Sequence, residues 1–371
     1  MAANIGMSLY GSEFLRDAPE RLRVSGADDD AIDLQFKEQG YLFLSSEAGE
    51  PTLRQNQATQ ASCGVDWTHL MEPDALRERF PWLDTDGDAD MEKAAITLGC
   101  LGTAHEGWFD PWALLNGMRS KARELGVEYH HGTVMGMTMD SSASTPTISG
   151  VVVSGSESGP DQHLTLEAGE VVCAAGAWAA SVVGMCGDAA AVTPLPVAPR
   201  KRCIFTFHCP EEGVPDGKTT PLTVLPETGV YFRPEGAPGN FLCGVSPDAD
   251  DDPDITVEDL DHVAHHLFDE VIWPSLYKYA PVFGNIKVTS CWAGFYEYNT
   301  LDQNGIIGRH PDVRNLTLVN GFSGHGLQQS PAAGRGVAEL LVHGSYQTAD
   351  LSCFAFERIT EGKPVFEQNI V

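Results

Sequence analysis

Apolar positions along the chain follow two periods, and the stretches where each holds predict the elements. Leu34, Phe36, Tyr41 and Phe43, with Leu42 and Leu44 beside them, flank Gln39-Gly40 and predict two short strands in a hairpin. Residues 50–79 carry a helical pattern that Pro51 and Pro73 break, and residues 94–103 read as a strand. Asp110 and Pro111 then mark the N-cap and first turn of a helix whose Leu115, Met118, Ala122 and Leu125 share one face, closed by Gly126. Residues 127–129, 133–137 and 148–153 predict an antiparallel wing, and 170–178 a buried strand, a small-residue turn and the start of a helix. Three more strands are expected at 203–207, 223–232 and 241–245. Thr256 with Asp259 forms a capping box for a helix carrying Leu260, Val263, Ala264, Leu267, Phe268 and Val271, ended by Pro274.

The last pattern is a strand at Leu316, Leu318 and Val319, a glycine-rich turn, and a helix with Ser330 as N-cap, Pro331 in its first position and Val337, Leu340 and Leu341 on its apolar face. Glycines at 321, 324 and 326 free the turn from Cβ atoms and permit positive φ. Such a turn either cradles a delocalised anion on free N–H groups or simply packs a helix on a sheet, and spacing leaves both readings open.

Gly321-Phe-Ser-Gly-His-Gly326, with Trp292-Ala-Gly294, Thr300, Asp302 and Ile306-Ile-Gly308 upstream, resembles the C-terminal flavin-contacting motif of the D-amino-acid oxidase, glycine oxidase and sarcosine oxidase family. Glu106-Gly-Trp-Phe-Asp-Pro-Trp112, Pro199-Arg-Lys-Arg202 and Tyr298-Asn-Thr-Leu-Asp-Gln-Asn-Gly305 extend the likeness over nearly the whole chain, to a mitochondrial branch linked to respiratory complex I assembly. The resemblance implies an α/β (α+β) fold: an FAD-binding domain of the D-amino-acid oxidase/glutathione-reductase-2 type, interleaved with a mixed-sheet substrate domain. The FAD domain would take residues 1–30, 106–193 and 291–371, and the substrate domain 31–105 and 194–290. FAD contacts would come from Val134, Ala175, Gly176, Trp178, Gly321, Phe322, Ser323, Gly324, His325, Gly326, Leu327 and Gln328, with His325 shaping the turn. Implied partners are complex I subunits or assembly intermediates and a small amine substrate, in the mitochondrial matrix or peripheral to the inner membrane.

Departures from the family pattern refine this. No G-x-G-x-x-G occurs in the sequence, so the first βαβ unit reads as missing and the chain as shortened at its N-terminus, with FAD binding weakened or lost and an inactive product as one outcome. Phe295 stands where the sarcosine-oxidising relatives attach flavin through cysteine, so FAD is expected to be noncovalent. Gln328 replaces their carboxylate-gripping lysine, which puts an α-amino-acid substrate in doubt. No lysine lies between Lys218 and Lys278 to activate oxygen, which favours a dehydrogenase over an oxidase.

Composition excludes more than it assigns. With 52 acidic residues against 23 Lys plus Arg, a net charge of −29 opposes binding to nucleic acid or anionic membranes. The longest apolar run, residues 171–186, is broken by glycines and is too short to span a bilayer. Nine cysteines without a C-x-x-C pair suit reduced, buried thiols, and the first ten residues lack the character of a targeting peptide. Residues 84–90 resemble the start of a calcium loop without its terminal glutamate. His262, His265 and His266 lie at helical spacing but are expected to be solvated. The acidic run Asp28-Asp-Asp30 is expected to be a solvated turn, and the basic run at 200–202 an exposed strand edge rather than a carboxylate or partner contact.

Overall fold

The computed structural model describes residues 2–25, 32–142, 144–155, 163–187, 192–247 and 252–366, so the acidic run at 28–30 lies outside the described residues. The largest unit is an eight-stranded mixed sheet of β1 (Tyr41–Ser45), β2 (Thr68–Met71), β3 (Leu98–Gly102), β8 (Val197–His208), β9 (Leu222–Val224), β10 (Tyr231–Pro234), β11 (Asn240–Gly244) and β12 (Lys287–Asn299). Its spatial order is β12-β8-β11-β10-β9-β1-β3-β2. Alternate residues of β8, β10 and β11 send Phe205, Phe207, Phe232 and Phe241 to one face, where Phe283 closes the cluster at ring separations such as 5.2 Å to Phe207 and 5.0 Å to Phe241.

A second sheet holds β13 (Ile306–Arg309), β14 (Leu316–Asn320) and β7 (Val171–Cys173), with β7 parallel to β14. The expected antiparallel wing is the third sheet, β4 (Gly132–Asp140), β5 (Thr147–Gly155) and β6 (His163–Glu167). Residues 127–129 do not join it. The long strands β8 and β12 pair along their whole length, and the boundary expected at 290/291 falls inside β12.

The helices are α1 (Ala2–Arg21), α2 (Glu50–Ser62), α3 (Pro73–Arg79), α4 (Pro111–Glu124), α5 (Ala179–Gly184), α6 (His265–Leu267), α7 (Trp273–Tyr279), α8 (Gly326–His343) and α9 (Glu357–Thr360). Pro51 and Pro73 open α2 and α3 rather than break a helix, because the first turn has no acceptor for the N–H that proline lacks. Asp110 caps α4 as expected, its carboxylate accepting from the N–H groups of Trp112 (2.9 Å) and Ala113 (3.2 Å). The buried face of α4 is instead Leu114 and Gly117, while Leu115 and Leu125 are 56% and 74% exposed.

Three further expectations are corrected. Residues 34–44 are no hairpin: β1 pairs with β3 and β9, and Lys37 bridges to Trp108. The Thr256/Asp259 box caps only a 3-10 turn, Val257–Asp261, and the chain is extended at His262 before α6 passes through a π-helical turn, Phe268–Ile272, into α7. Pro274 stands in the first turn of α7 rather than after the helix, a position that tolerates the absent N–H. Finally, α8 starts at Gly326, five residues before Pro331. The Leu327 carbonyl, which the missing Pro331 N–H would have served, accepts from the Ser330 hydroxyl at 3.0 Å.

Candidate active site

Where α1 and the start of α8 meet the large sheet, β1, β10 and residues 105–111 enclose a cavity of about 540 Å³. Helix α1 packs against α8 so closely that a Cβ on Gly11 would collide with the Gln328 carbonyl, which fixes the position of Gln328 on the cavity wall. Tyr41, Trp108 and Arg233 form the opposite wall, with Glu106 between. Arg233 lies 5.2 Å from the Trp108 ring centroid and is held by Glu235 and the Pro234 carbonyl.

Glu106 is placed by the residues before it. Its carboxylate lies against β3 in the space that a side chain at Gly102 would occupy. His105 adopts φ +59°, stacks on Trp67 with centroids 4.2 Å apart, and accepts from Arg16 at 2.8 Å. Burial pushes the Glu106 carboxyl up to about 7, and the Tyr41 backbone N–H opposes that rise. Burial also raises the Tyr41 phenol, with the Glu106 charge adding to the effect. A smaller cavity of about 190 Å³ shares His105, Glu106 and His325 with the first.

The glycine-rich loop divides into an inward and an outward half. Gly321, Phe322 and Ser323 are buried. Phe322 packs with Met7, Ile307 and Ala333, and the Ser323 hydroxyl accepts from the Asn299 N–H at 2.9 Å. Gly324, His325, Leu327 and Gln328 face the cavity. Positive φ at Gly321, Ser323 and Gly324 makes the turn possible. A Cβ on Gly324 would come within 2.8 Å of the Tyr296 ring, whose hydroxyl donates to the Ser323 carbonyl. Arg202 stands 4.2 Å from the Tyr296 centroid and is clamped by Asp252 at 2.8 and 2.9 Å. The basic run therefore makes the carboxylate contacts that were not expected: strand alternation sends Arg200 and Arg202 to the acids and Lys201 to the carbonyls of Asp259 and His262.

Ala175, Gly176 and Trp178 form a turn at the end of β7, brought near this loop through Glu297. The Glu297 carboxylate accepts from the Phe322 N–H at 3.3 Å, and lies 3.8 Å from where a Gly176 Cβ would be. Burial raises its pKa. Trp178, half exposed, meets Phe295 edge-on at 4.8 Å. Val134 stands apart on β4, paired with Val153 and not lining either cavity. Asp302 of the lead-in motif is a structural centre, fully buried with Arg358 at 2.8 Å and accepting from Asn299, Asn304 and Val365. Lys93, also buried, places its ammonium 2.6 Å from Asp84, so the acidic loop at 84–90 is met by the chain's own cation.

Tyr41, Glu106, Arg233, Tyr296 and Glu297 were not assigned from sequence as site residues. Tyr41 on β1, Arg233 on β10 and Glu106 after β3 reach the cavity, and Tyr296 and Glu297 brace the loop from β12; these strands pair across long sequence separations. Only the Glu106-Gly-Trp108 motif signalled any of them.

A family model described as FAD dependent oxidoreductase matches residues 7–340. The chain belongs to that family. It is 42% identical to FAD-dependent oxidoreductase domain-containing protein 1 of Xenopus laevis, over 99% of this chain and 73% of the relative. Among solved structures, L-proline dehydrogenase from P. horikoshii superposes with a TM-score of 0.72 at 24% identity, covering 98% of this chain and 85% of the other. Glycine oxidase from Geobacillus kaustophilus gives 0.69 at 20% identity, over 94% and 82%. The fold is thus that of the D-amino-acid oxidase-type FAD oxidoreductases, and the family uses FAD.

The residues present fit the ring end of FAD. The bare outer half of the loop borders a cavity that is also lined by Leu327 and Gln328 of the first turn of α8, where the backbone N–H groups lack helical acceptors. Gly324, His325, Leu327 and Gln328 would hold the ring there.

Proposed function

We propose that this chain is a noncovalent FAD-dependent dehydrogenase of a small amine or imino acid. The observation that carries the reading is the 540 Å³ cavity bounded by the 324–328 loop on one side and by Arg233, Tyr41 and Glu106 on the other. Bound FAD would supply the two-electron acceptor for the substrate C–H bond. Gln328 offers no charge to a carboxylate, but Arg233 provides a guanidinium on the far wall, so a substrate bearing both carboxylate and amine can span the cavity. Glu297 and Tyr296 hold the loop. The test is FAD retention by the chain, alone and joined to the N-terminal part of the Xenopus relative, followed by anaerobic bleaching with a panel of amino and imino acids. Retention with bleaching supports the reading. Failure to hold FAD in either form indicates an inactive product.

A second reading concerns biological role: assembly or stability of respiratory complex I in mitochondria, in the matrix or peripheral to the inner membrane. The sequence likeness supports it, and α4 carries Trp112 and Leu115 at 66% and 56% exposure, available to a partner. Complex I intermediates should co-purify equally with the wild-type chain and Glu106→Gln, and be lost with Leu115→Glu. Absence of such intermediates from mitochondrial extracts overturns this role.

A further inference from the structure

Oxidation of an amine requires its nitrogen lone pair. At neutral pH an amino or imino acid carries that nitrogen as an ammonium, so a proton must leave before the electron pair of the neighbouring C–H bond can. Resting on the dehydrogenase reading above, we propose that Glu106 is the base that takes this proton. The N–H bond breaks with its electrons staying on nitrogen, an O–H bond forms on the Glu106 carboxylate, and the neutral amine remains in the cavity. No oxidant enters this step.

Three observations place the role on Glu106. It lines the same cavity as Arg233, so a substrate whose carboxylate meets the guanidinium can present its nitrogen to the carboxyl. Gly102 leaves room for the carboxylate to lie back against β3, supported rather than projecting freely. Glu106 also borders the smaller cavity, where Gln60 Oε1 and Trp67 Nε1 are buried without a hydrogen-bond partner among the described residues. Those atoms suit water, which gives an accepted proton an exit that does not cross the substrate.

The groups around Glu106 are few. Tyr41 approaches from β1 and Cys100 from β3; burial raises both, and the Glu106 charge adds to the rise. His105 precedes it, tied to Arg16 and Glu38, and His325 faces it from the start of α8. Arg233 on β10 lowers Tyr41 but does not pair with Glu106. A carboxyl shifted into the neutral range suits proton exchange at physiological pH.

Two measurements test the proposal. First, difference infrared spectra of the full chain across pH 5–9 should show a carboxyl titrating near 7 that is missing in Glu106→Gln and displaced in Gly102→Ala. If no carboxyl titrates there, the proposal is overturned. Second, flavin reduction in the FAD-loaded protein should fall by about 100-fold in Glu106→Gln at pH 7 and recover toward wild type above the amine's own pKa, where no base is needed. Equal loss at all pH values, or no loss, overturns the assignment of Glu106 while leaving the dehydrogenase reading intact. Failure of every amine to bleach the flavin overturns both.

Discussion

At the scale of single residues, Glu106 couples the site to stability. Its folded pKa is about 7, above that of an exposed glutamate, so the native state holds a proton that the unfolded chain releases between those values. The resulting stabilisation is present at low pH and is lost as pH rises through 7. Glu106→Gln should therefore be more stable than wild type at pH 8–9 by about 1–3 kcal/mol, and the difference should shrink as pH falls below 7 and vanish only below about pH 4, under the pKa of an exposed glutamate. Equilibrium unfolding at the two pH values checks this. Gly324 gives a second case: at φ +92° and against the Tyr296 ring, Gly324→Ala should cost about 1–3 kcal/mol and abolish FAD retention, read by thermal unfolding and flavin fluorescence. The glycines were legible in sequence as marking an unusual turn. That Gly324 admits a tyrosine from β12 was not, because nothing local to residue 324 encodes what packs against it.

Among elements, those with local chemistry were the legible ones. Asp110 caps α4 through two backbone N–H groups, and Asp110→Ala should lower stability by about 1 kcal/mol in chemical denaturation, with little effect on FAD. Wing strands β4 and β5 and strand β14 followed their apolar pattern, whereas β6 was not expected and residues 127–129 form no strand. The reading failed where tertiary packing outweighed pattern: Gly117 sits over Ile32 and Leu22, turning α4 so that Leu114 rather than Leu115 is buried. It failed at α8 because Ser330 and Pro331 look like a start in isolation. In the structure the same pair continues a helix, the hydroxyl serving the carbonyl that the ring leaves free.

On the scale of the whole molecule, the buried Arg358–Asp302 pair fastens α9 to the motif preceding β13. Removing one member leaves an uncompensated charge, so Asp302→Leu should cost about 3–5 kcal/mol, whereas the double change with Arg358→Leu should recover part of that loss. A double-mutant cycle measured by denaturant unfolding checks it. The family and its fold were readable from motifs spread over the chain. The wall opposite the loop was not, since it is assembled by β1 and β10, which are neighbours only through β9.

The pairing of β8 with β12, continuous apart from a bulge at Val288–Ser290, also sets how the molecule can breathe. One ribbon serves as backbone to the phenylalanine core and as the seat of the Tyr296 and Glu297 contacts, so neither part can swing like a jaw without tearing that ladder. Solutes would then enter and leave past the exposed rim at Gly324 and Leu327, rather than by a swing of one half of the fold against the other.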